Sequence, residues 1–464
     1  MDTNFQAPIA KQNNPVSPVK YFLENFKENF FSIVKKLIKP PFSFIGMGVI
    51  VIILFLFVLG ILSKPKSLHV DTTPQDYTLK LWSFSENADH YKKLIDAYEL
   101  ANPHIKVIFE QRQNSDYRSV INQRITDGVN MPDIFEVNNS EINFYLGYIL
   151  PSPTDIINYS DFNNAYYPQA IIDNSNSGNV YGLPTGIDGL MLVYNKDLVK
   201  DTELPKYWSD LVNLSNAKTK ANGSDETKND KNGIAAASDE KMLYLDEIAQ
   251  LLIFQNRQKS FYDDTLQVNI KPTLGQDAIN QFIKLVEKRP WDISTDDSLQ
   301  AFIKGNTAYG IVKAKDIYDI QSKNPNLKFG TAIMPVLVDQ VHLASYTSFV
   351  VSNQTSSQTE AWKLMKYLTN EDSVKYLSGS ATDFKLSKKP SPFISQSMDV
   401  KNDPVYSPIA AMAPNMVNWE SVNSVETNKV FKTFMITSAI PGNSITEDNI
   451  SNLNINLNAV LGGF

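Results

Sequence analysis

The chain contains no cysteine, so thiolate nucleophiles, zinc ribbons and iron–sulfur ligation are excluded at once. Its four histidines, His69, His90, His104 and His342, fall at no spacing that would gather them on one metal ion. No Gly-rich phosphate loop, HExxH or nucleophile elbow is present. The 50 Asp and Glu residues supply accidental carboxylate pairs of the kind glycoside hydrolysis needs, so a glycan-processing enzyme stays as an alternative. The chemistry that remains is recognition. A cleft that holds a sugar or a peptide needs flat apolar faces for stacking and a few polar groups for hydroxyls or amides. Trp82, Phe84, Glu86 and Asn87 form one such group at the end of a strand, and Asn138, Asn139 and Glu141 form another. Open α/β sheets place ligand loops at the carboxyl ends of strands, which is where both groups fall. Core packing is the competing role for Trp82, and a solvated loop is the competing role for the second group.

The elements that must position these residues follow from patterning. From Tyr77 the sequence alternates short apolar strands with amphipathic helices: YTLKLWSF, HYKKLIDAYELANP, HIKVIFEQ, DYRSVINQRITDG and PDIFEV. Tyr91, Leu94, Ile95 and Tyr98 share one helical face before Asn102 and Pro103 break it. Strands separated by helices of about ten residues predict a parallel, helix-covered sheet. The pattern recurs in GQDAINQFIKLVEK, SLQAFIKGNTAYGIV, LKFGTAIMPV and SQTEAWKLMKYLTNEDSVKYL, so two α/β lobes fit the length. Ser215 to Gly233 is polar throughout and reads as a surface loop, and from Lys388 onward helices with loops are expected.

Ahead of the lobes, Phe42 to Leu62 carries no charge, and 21 helical residues span roughly 31 Å, enough for a bilayer core. With 41 residues before it, this segment reads as a retained anchor and not a cleaved signal. Lys27, Lys35, Lys36 and Lys39 precede the span, against Lys64, Lys66 and the more distant Lys80 after it, which favours the N-terminus inside. Tyr21 to Lys39 places Phe22, Phe26, Phe30, Ile33 and Leu37 at helical spacing, an amphipathic helix for the inner leaflet or for a partner. Residues 1–41 then form a cytoplasmic segment, 42–62 the span and 63–76 a tether. The formal net charge is −7 overall, but residues 64–464 carry −10 and the first 41 carry +3, so the basic end sits inside. Only five Arg in an acidic chain exclude nucleic acid as a natural partner.

Seven segments in one order resemble the extracellular solute-binding proteins of ABC importers, the family that includes the maltose- and other oligosaccharide-binding proteins. They are LKLWSF with NPHIKVIF, TDGVNMPDIFEV, VYGLPTGIDGLMLVYNKDLV, LPKYWSDLV, AFIKGNTAYGIV, FGTAIMPV and SFVVSNQTSSQTEAWKLMKYL. The resemblance implies a two-lobed periplasmic-binding-protein-like fold of type II with hinge strands, preceded here by the transmembrane helix. It implies lobe 1 at 77–186 plus 345–370 and lobe 2 at 187–344 plus 371–464, with crossings near Gly186–Gly189, His342–Thr347 and Asn370–Ser373. Family members usually reach the membrane through a lipid on an N-terminal Cys; with no Cys, this chain would use its helix instead. By the same resemblance Asp188 lies in the first crossing, Tyr244 and Tyr346 line the cleft, and Trp419 stands where relatives carry a stacking aromatic. Sugar-binding members often have a Trp after the strand KGNTAYGIV; this chain has Lys313, Ala314 and Lys315, and Lys313 would favour an anionic ligand. The implied function is capture of a solute, most simply a carbohydrate, and its delivery to an ABC permease, with no catalysis and no cofactor. An inward-signalling sensor or surface interaction protein is the remaining alternative.

Overall fold

The computed structural model describes residues 75–223, 229–292, 296–421 and 423–461; the amphipathic segment, the span at 42–62 and most of the tether lie outside them. Among the described residues no helix is long and apolar enough to cross a membrane.

The first sheet draws on β1 (Tyr77–Ser83), β2 (Ile105–Gln111), β3 (Ile134–Asn138) and β4 (Ile149–Leu150), then, after a separate hairpin of β5 (Ser175–Asn176) and β6 (Asn179–Val180), on β7 (Gly182–Pro184). The second uses β8 (Met191–Asn195), β9 (Lys220–Ala221), β10 (Asn229–Ile234), β11 (Thr307–Val312) and β12 (Phe329–Ile333). The chain then passes through β13 (His342–Leu343) to β14 (Thr347–Ser352), and β15 (Met416–Val417) pairs with β13. Strand order is β2-β1-β3-β14-β4 with β7 on β14 in the first sheet, and β12-β8-β11-β10-β9 in the second. The protein is thus a two-lobed α/β structure. Its sheets are mixed where parallel ones were expected: β1 runs parallel to β2 and β3, but β14 returns antiparallel to β3, and β8 is antiparallel to β11 and β12. Each antiparallel strand adjoins a passage between the sheets, so its direction is set by re-entry and not by a helical crossover.

Among the described residues, the helices that frame the site and the lobe cores include α1 (Ala88–Ala101), α2 (Asn114–Asp127), α3 (Pro168–Asn174), α4 (Leu245–Gln255), α5 (Pro272–Val286), α6 (Gln358–Leu368), α7 (Glu371–Ser380), α8 (Ser424–Thr437) and α9 (Glu447–Leu461). The face of α1 read from the sequence is the one that packs: Tyr91, Ile95 and Tyr98 are buried, and each such side chain contributes about 1.5–3 kcal/mol. Period-two alternation sorts β1 between two cores. Leu79 and Leu81 join a cluster that continues through Ile187 to Met191 and Val193 of the second sheet and to Phe302 in the short helix Ser298–Ile303. Trp82 points to the other face, with Phe135, Val137 and Tyr145. The second lobe closes around α4, α5, α8 and α9, where Leu252, Phe282, Phe431 and Leu457 meet.

Two segments differ from the sequence reading. The polar run Ser215–Gly233 is not all loop: β9 and β10 form an antiparallel pair, and β10 continues the sheet on β11. Gly233 permits this, since a Cβ there would stand 2.1 Å from the Ser215 carbonyl oxygen. Asn370–Ser373 is not a passage. It caps and opens α7, which packs on α1 with Val374 and Leu377 buried. The third passage lies beyond it, within residues 381–405, and the chain has reached the second sheet where the Thr331 hydroxyl on β12 donates to the Val405 carbonyl at 2.7 Å.

Candidate functional site

A cavity of about 470 Å³ lies between the carboxyl ends of β1 and β3 and the three chain passages. Phe84, Glu86, Asn138, Asp188, Lys313, Tyr346 and Trp419 all line it. Trp82, Asn87, Glu141 and Tyr244 do not.

On the first sheet the loop after β1 is fixed from below by Glu136, which sequence reasoning missed. Its carboxylate accepts from the Ser83 hydroxyl at 2.5 Å, from the Phe84 and Ser85 N–H groups at 2.9 Å each, and from the Ser85 hydroxyl. Four donors on a fully buried carboxylate freeze the loop, so Phe84 and Glu86 are held in place without ligand. Phe84 packs 4.8 Å from the Tyr117 ring. Glu86 is buried and receives the Lys389 ammonium; burial pushes its carboxyl up against the opposing pull of that cation. The Asn87 side chain is spent as the cap of α1, accepting the His90 N–H at 3.1 Å.

At the passages, Asp188 accepts from the N–H groups of Gly189 at 2.7 Å, Ala314 at 2.9 Å and Lys315 at 3.3 Å. Burial nevertheless pushes its carboxyl up to about 6, with Lys313 acting the other way. Asp173, on α3, is a second residue missed in the sequence. It is 1% exposed and accepts from Asn139, Gln169, Tyr346 and Asn418. Burial pushes it to about 6 as well. Tyr346 is therefore a positioning residue whose hydroxyl is already engaged.

On the second lobe, Lys313 does not reach a ligand as a free cation. Its Nζ donates to Glu247 Oε1 at 2.5 Å and to the Ser345 hydroxyl at 2.7 Å, with the side chain 4% exposed. Burial works against the ammonium, but Glu247 outweighs it and holds the group above its usual range. Tyr244 sits beneath, at φ 59°, its hydroxyl donating to both Asp316 oxygens, and its ring lies 4.7 Å from the Lys313 ammonium. Trp419 lines the cavity but is 4% exposed and held in the lobe core, with Phe261 at 5.0 Å and Phe431 at 5.5 Å.

The remaining candidates serve elsewhere. Trp82 carries the Arg112 guanidinium 3.9 Å above its ring inside the first lobe. Glu141 pairs with Arg118 at 3.2 Å and accepts the Ser424 hydroxyl at 2.6 Å, tying the first sheet to α8. The arrangement offers many hydrogen-bond donors and acceptors and few open aromatic faces. Among the described residues no cluster of His, Asp and Glu could hold a metal ion.

The bacterial extracellular solute-binding protein model matches residues 93–396. Solved structures share the fold: the sugar-binding protein MalE from Xanthomonas citri is 17% identical with a TM-score of 0.67, over 83% of this chain and 98% of that one. A cyclo/maltodextrin-binding protein complexed with maltotetraose is 17% identical, TM-score 0.65, over 84% and 98%. An ABC substrate-binding protein from Listeria monocytogenes in complex with cycloalternan is 17% identical, TM-score 0.64, over 84% and 100%. With the family model covering well over half of its length, this chain belongs to the bacterial extracellular solute-binding proteins.

Proposed function

We propose that this protein captures a saccharide in the cleft between its lobes and delivers it to the permease of an ABC importer. The observation that carries the reading is the cavity itself: amides, hydroxyls and ion-paired side chains converge where all three passages between the sheets meet. Hydroxyl-rich ligands satisfy such groups in both directions, since each hydroxyl donates and accepts. Residues 42–62 hold the chain in the membrane as a single span with the N-terminus inside, 63–76 form the tether, and the lobes work outside. The first lobe comprises 77–186 and 345–370 together with α7, and the second comprises the rest. The permease reads the closed form, and no bond is made or broken in the ligand.

The test is thermal unfolding of the full-length chain in mild detergent with neutral and acidic oligosaccharides, amino acids and peptides. A saccharide at about a hundred times its Kd should stabilise by roughly 2.7 kcal/mol and be recovered unchanged. Stabilisation by amino acids or peptides alone, or conversion of the sugar, would overturn the reading. Alkaline carbonate washing of membranes should leave the chain in the pellet; its release would remove the anchor from the proposal.

A further inference from the structure

The cavity wall carries four lysines and three carboxylates, and they are not all paired with one another. Lys313, Lys315, Lys388 and Lys389 line it together with Glu86, Asp188 and Glu247. Glu247 is taken by Lys313, and Glu86 by Lys389. The Asp188 carboxylate is satisfied by backbone N–H groups. Lys388 reaches Asp403 at 2.9 Å, outside the wall, with 41% of the lysine side chain still exposed. Lys315 has no carboxylate within ion-pair distance among the described residues; its Nζ rests 5.2 Å from the centre of the Tyr244 ring.

These lysines are gathered by one hydroxyl. Ser387 donates to the Lys315 carbonyl at 2.6 Å and accepts the Tyr318 N–H at 2.8 Å, which pins the run Leu386–Pro390 against the end of β11. Lys388 and Lys389 are thereby placed beside Lys315, although more than seventy residues separate them in sequence. The basic wall sits in a body whose residues 64–464 carry a net charge of −10, so its attraction is confined to the cleft, where low-dielectric walls focus it.

We infer that the ligand is an acidic saccharide, whose carboxylate is seated at Lys315 with Lys388 beside it. This rests on the saccharide-binding reading above and narrows it. A carboxylate is favoured over a phosphate because the backbone N–H groups of Ala314 and Lys315, which could cradle a phosphate, are already filled by Asp188. Lys315 is the one lysine of the wall without a carboxylate partner among the described residues, and one lysine seats one carboxylate.

The experiment uses the full-length chain in detergent and measures Kd for oligosaccharides of galacturonate, glucuronate and mannuronate. Each acid is paired with its methyl ester and its neutral parent sugar. At least one acid should bind tenfold or more tightly than its ester. That preference should shrink in 0.5 M salt, and Lys315→Gln should bring the acid down to the affinity of the ester, with Lys315→Arg restoring it. If neutral sugars bind as well as or better than the acid in every pair, or if Lys315→Gln weakens acid and ester equally, the inference falls and saccharide capture stands. If no saccharide of any kind binds, both fall together.

Discussion

Tyr346→Phe removes one oxygen from the point where the second passage meets α3, and its effect should depend on pH in a calculable way. The Tyr346 hydroxyl donates to Asp173 Oδ2 at 2.7 Å and accepts from the Asn174 amide at 3.2 Å. That amide keeps one N–H on the Ala170 carbonyl at 2.8 Å, while its other N–H loses its acceptor, a cost that is the same at every pH. The loss is one of four donors to a buried carboxylate. A hydrogen bond to a charged group contributes about 1.5–3 kcal/mol and a neutral one about 0.5–1.5. Burial holds the folded pKa of Asp173 at about 6, above its ordinary 3.8. A raised acid pKa means a stability contribution fully present below 3.8 and lost as pH climbs through 6, about 3 kcal/mol in all at 1.36 kcal/mol per unit. Removing a donor that favours the ionised form raises the folded pKa further. With the orphaned N–H adding at least about 1 kcal/mol at any pH, the gap between wild type and variant should be about 2 kcal/mol at pH 5 and widen to about 3–4 kcal/mol at pH 8. Urea unfolding of the full-length chain followed by tryptophan fluorescence at the two pH values measures it. An equal gap at both, or a larger one at pH 5, would refute the assignment of Asp173 as a buried, ionising acceptor.

Two further substitutions probe the same region. Lys313→Met should cost about 3–5 kcal/mol, because it strands Glu247 beside the cavity, and adding Glu247→Leu should recover most of that; a neutral single variant would show the pair is not held as described. Gly189→Ala should lower the unfolding free energy by about 1–3 kcal/mol, since the new Cβ would stand 2.6 Å from the Leu343 carbonyl oxygen, which is backbone and cannot yield; an unchanged urea midpoint would mean the first and second passages are not packed so closely.

The alternation of strands and helices was legible because each element carries its own period. Helix α1 is the clearest case, with its apolar face and its Asn102–Pro103 stop both local, although Asn87, read as a ligand contact, turns out to be its cap. Trp82 was not legible. Both faces of β1 are covered, so alternation assigns Trp82 to the face opposite Leu79 and Leu81 but cannot say whether that face is core or cleft. Charge partners were the least legible of all. Glu86 meets Lys389 across 303 positions and Glu141 meets Ser424 across 283, and nothing near either residue marks its partner. Lys313 shows the consequence: its type suggested a ligand contact, and only the tertiary neighbour Glu247 reveals that its charge is already spent.

The passages between the lobes and the cavity wall are made from the same residues, and this couples them. The Ser345 N–H of the second passage donates to the Asp188 carbonyl of the first at 2.9 Å, and Lys389 of the third reaches the Thr185 hydroxyl of the first at 3.4 Å. A rotation of one lobe about these passages therefore moves Asp188, Ser345 and Lys389, which also face the cavity. A ligand that bridges them binds one lobe angle better than another, and that difference in affinity is the most by which it can shift the equilibrium toward closure. An ion-paired wall suits this role better than open aromatic faces. The Lys313–Glu247 and Lys389–Glu86 pairs form before the ligand arrives, so neither of these carboxylates lacks a cation in the empty cleft, and each pair can exchange a hydrogen bond with a hydroxyl as the lobes move.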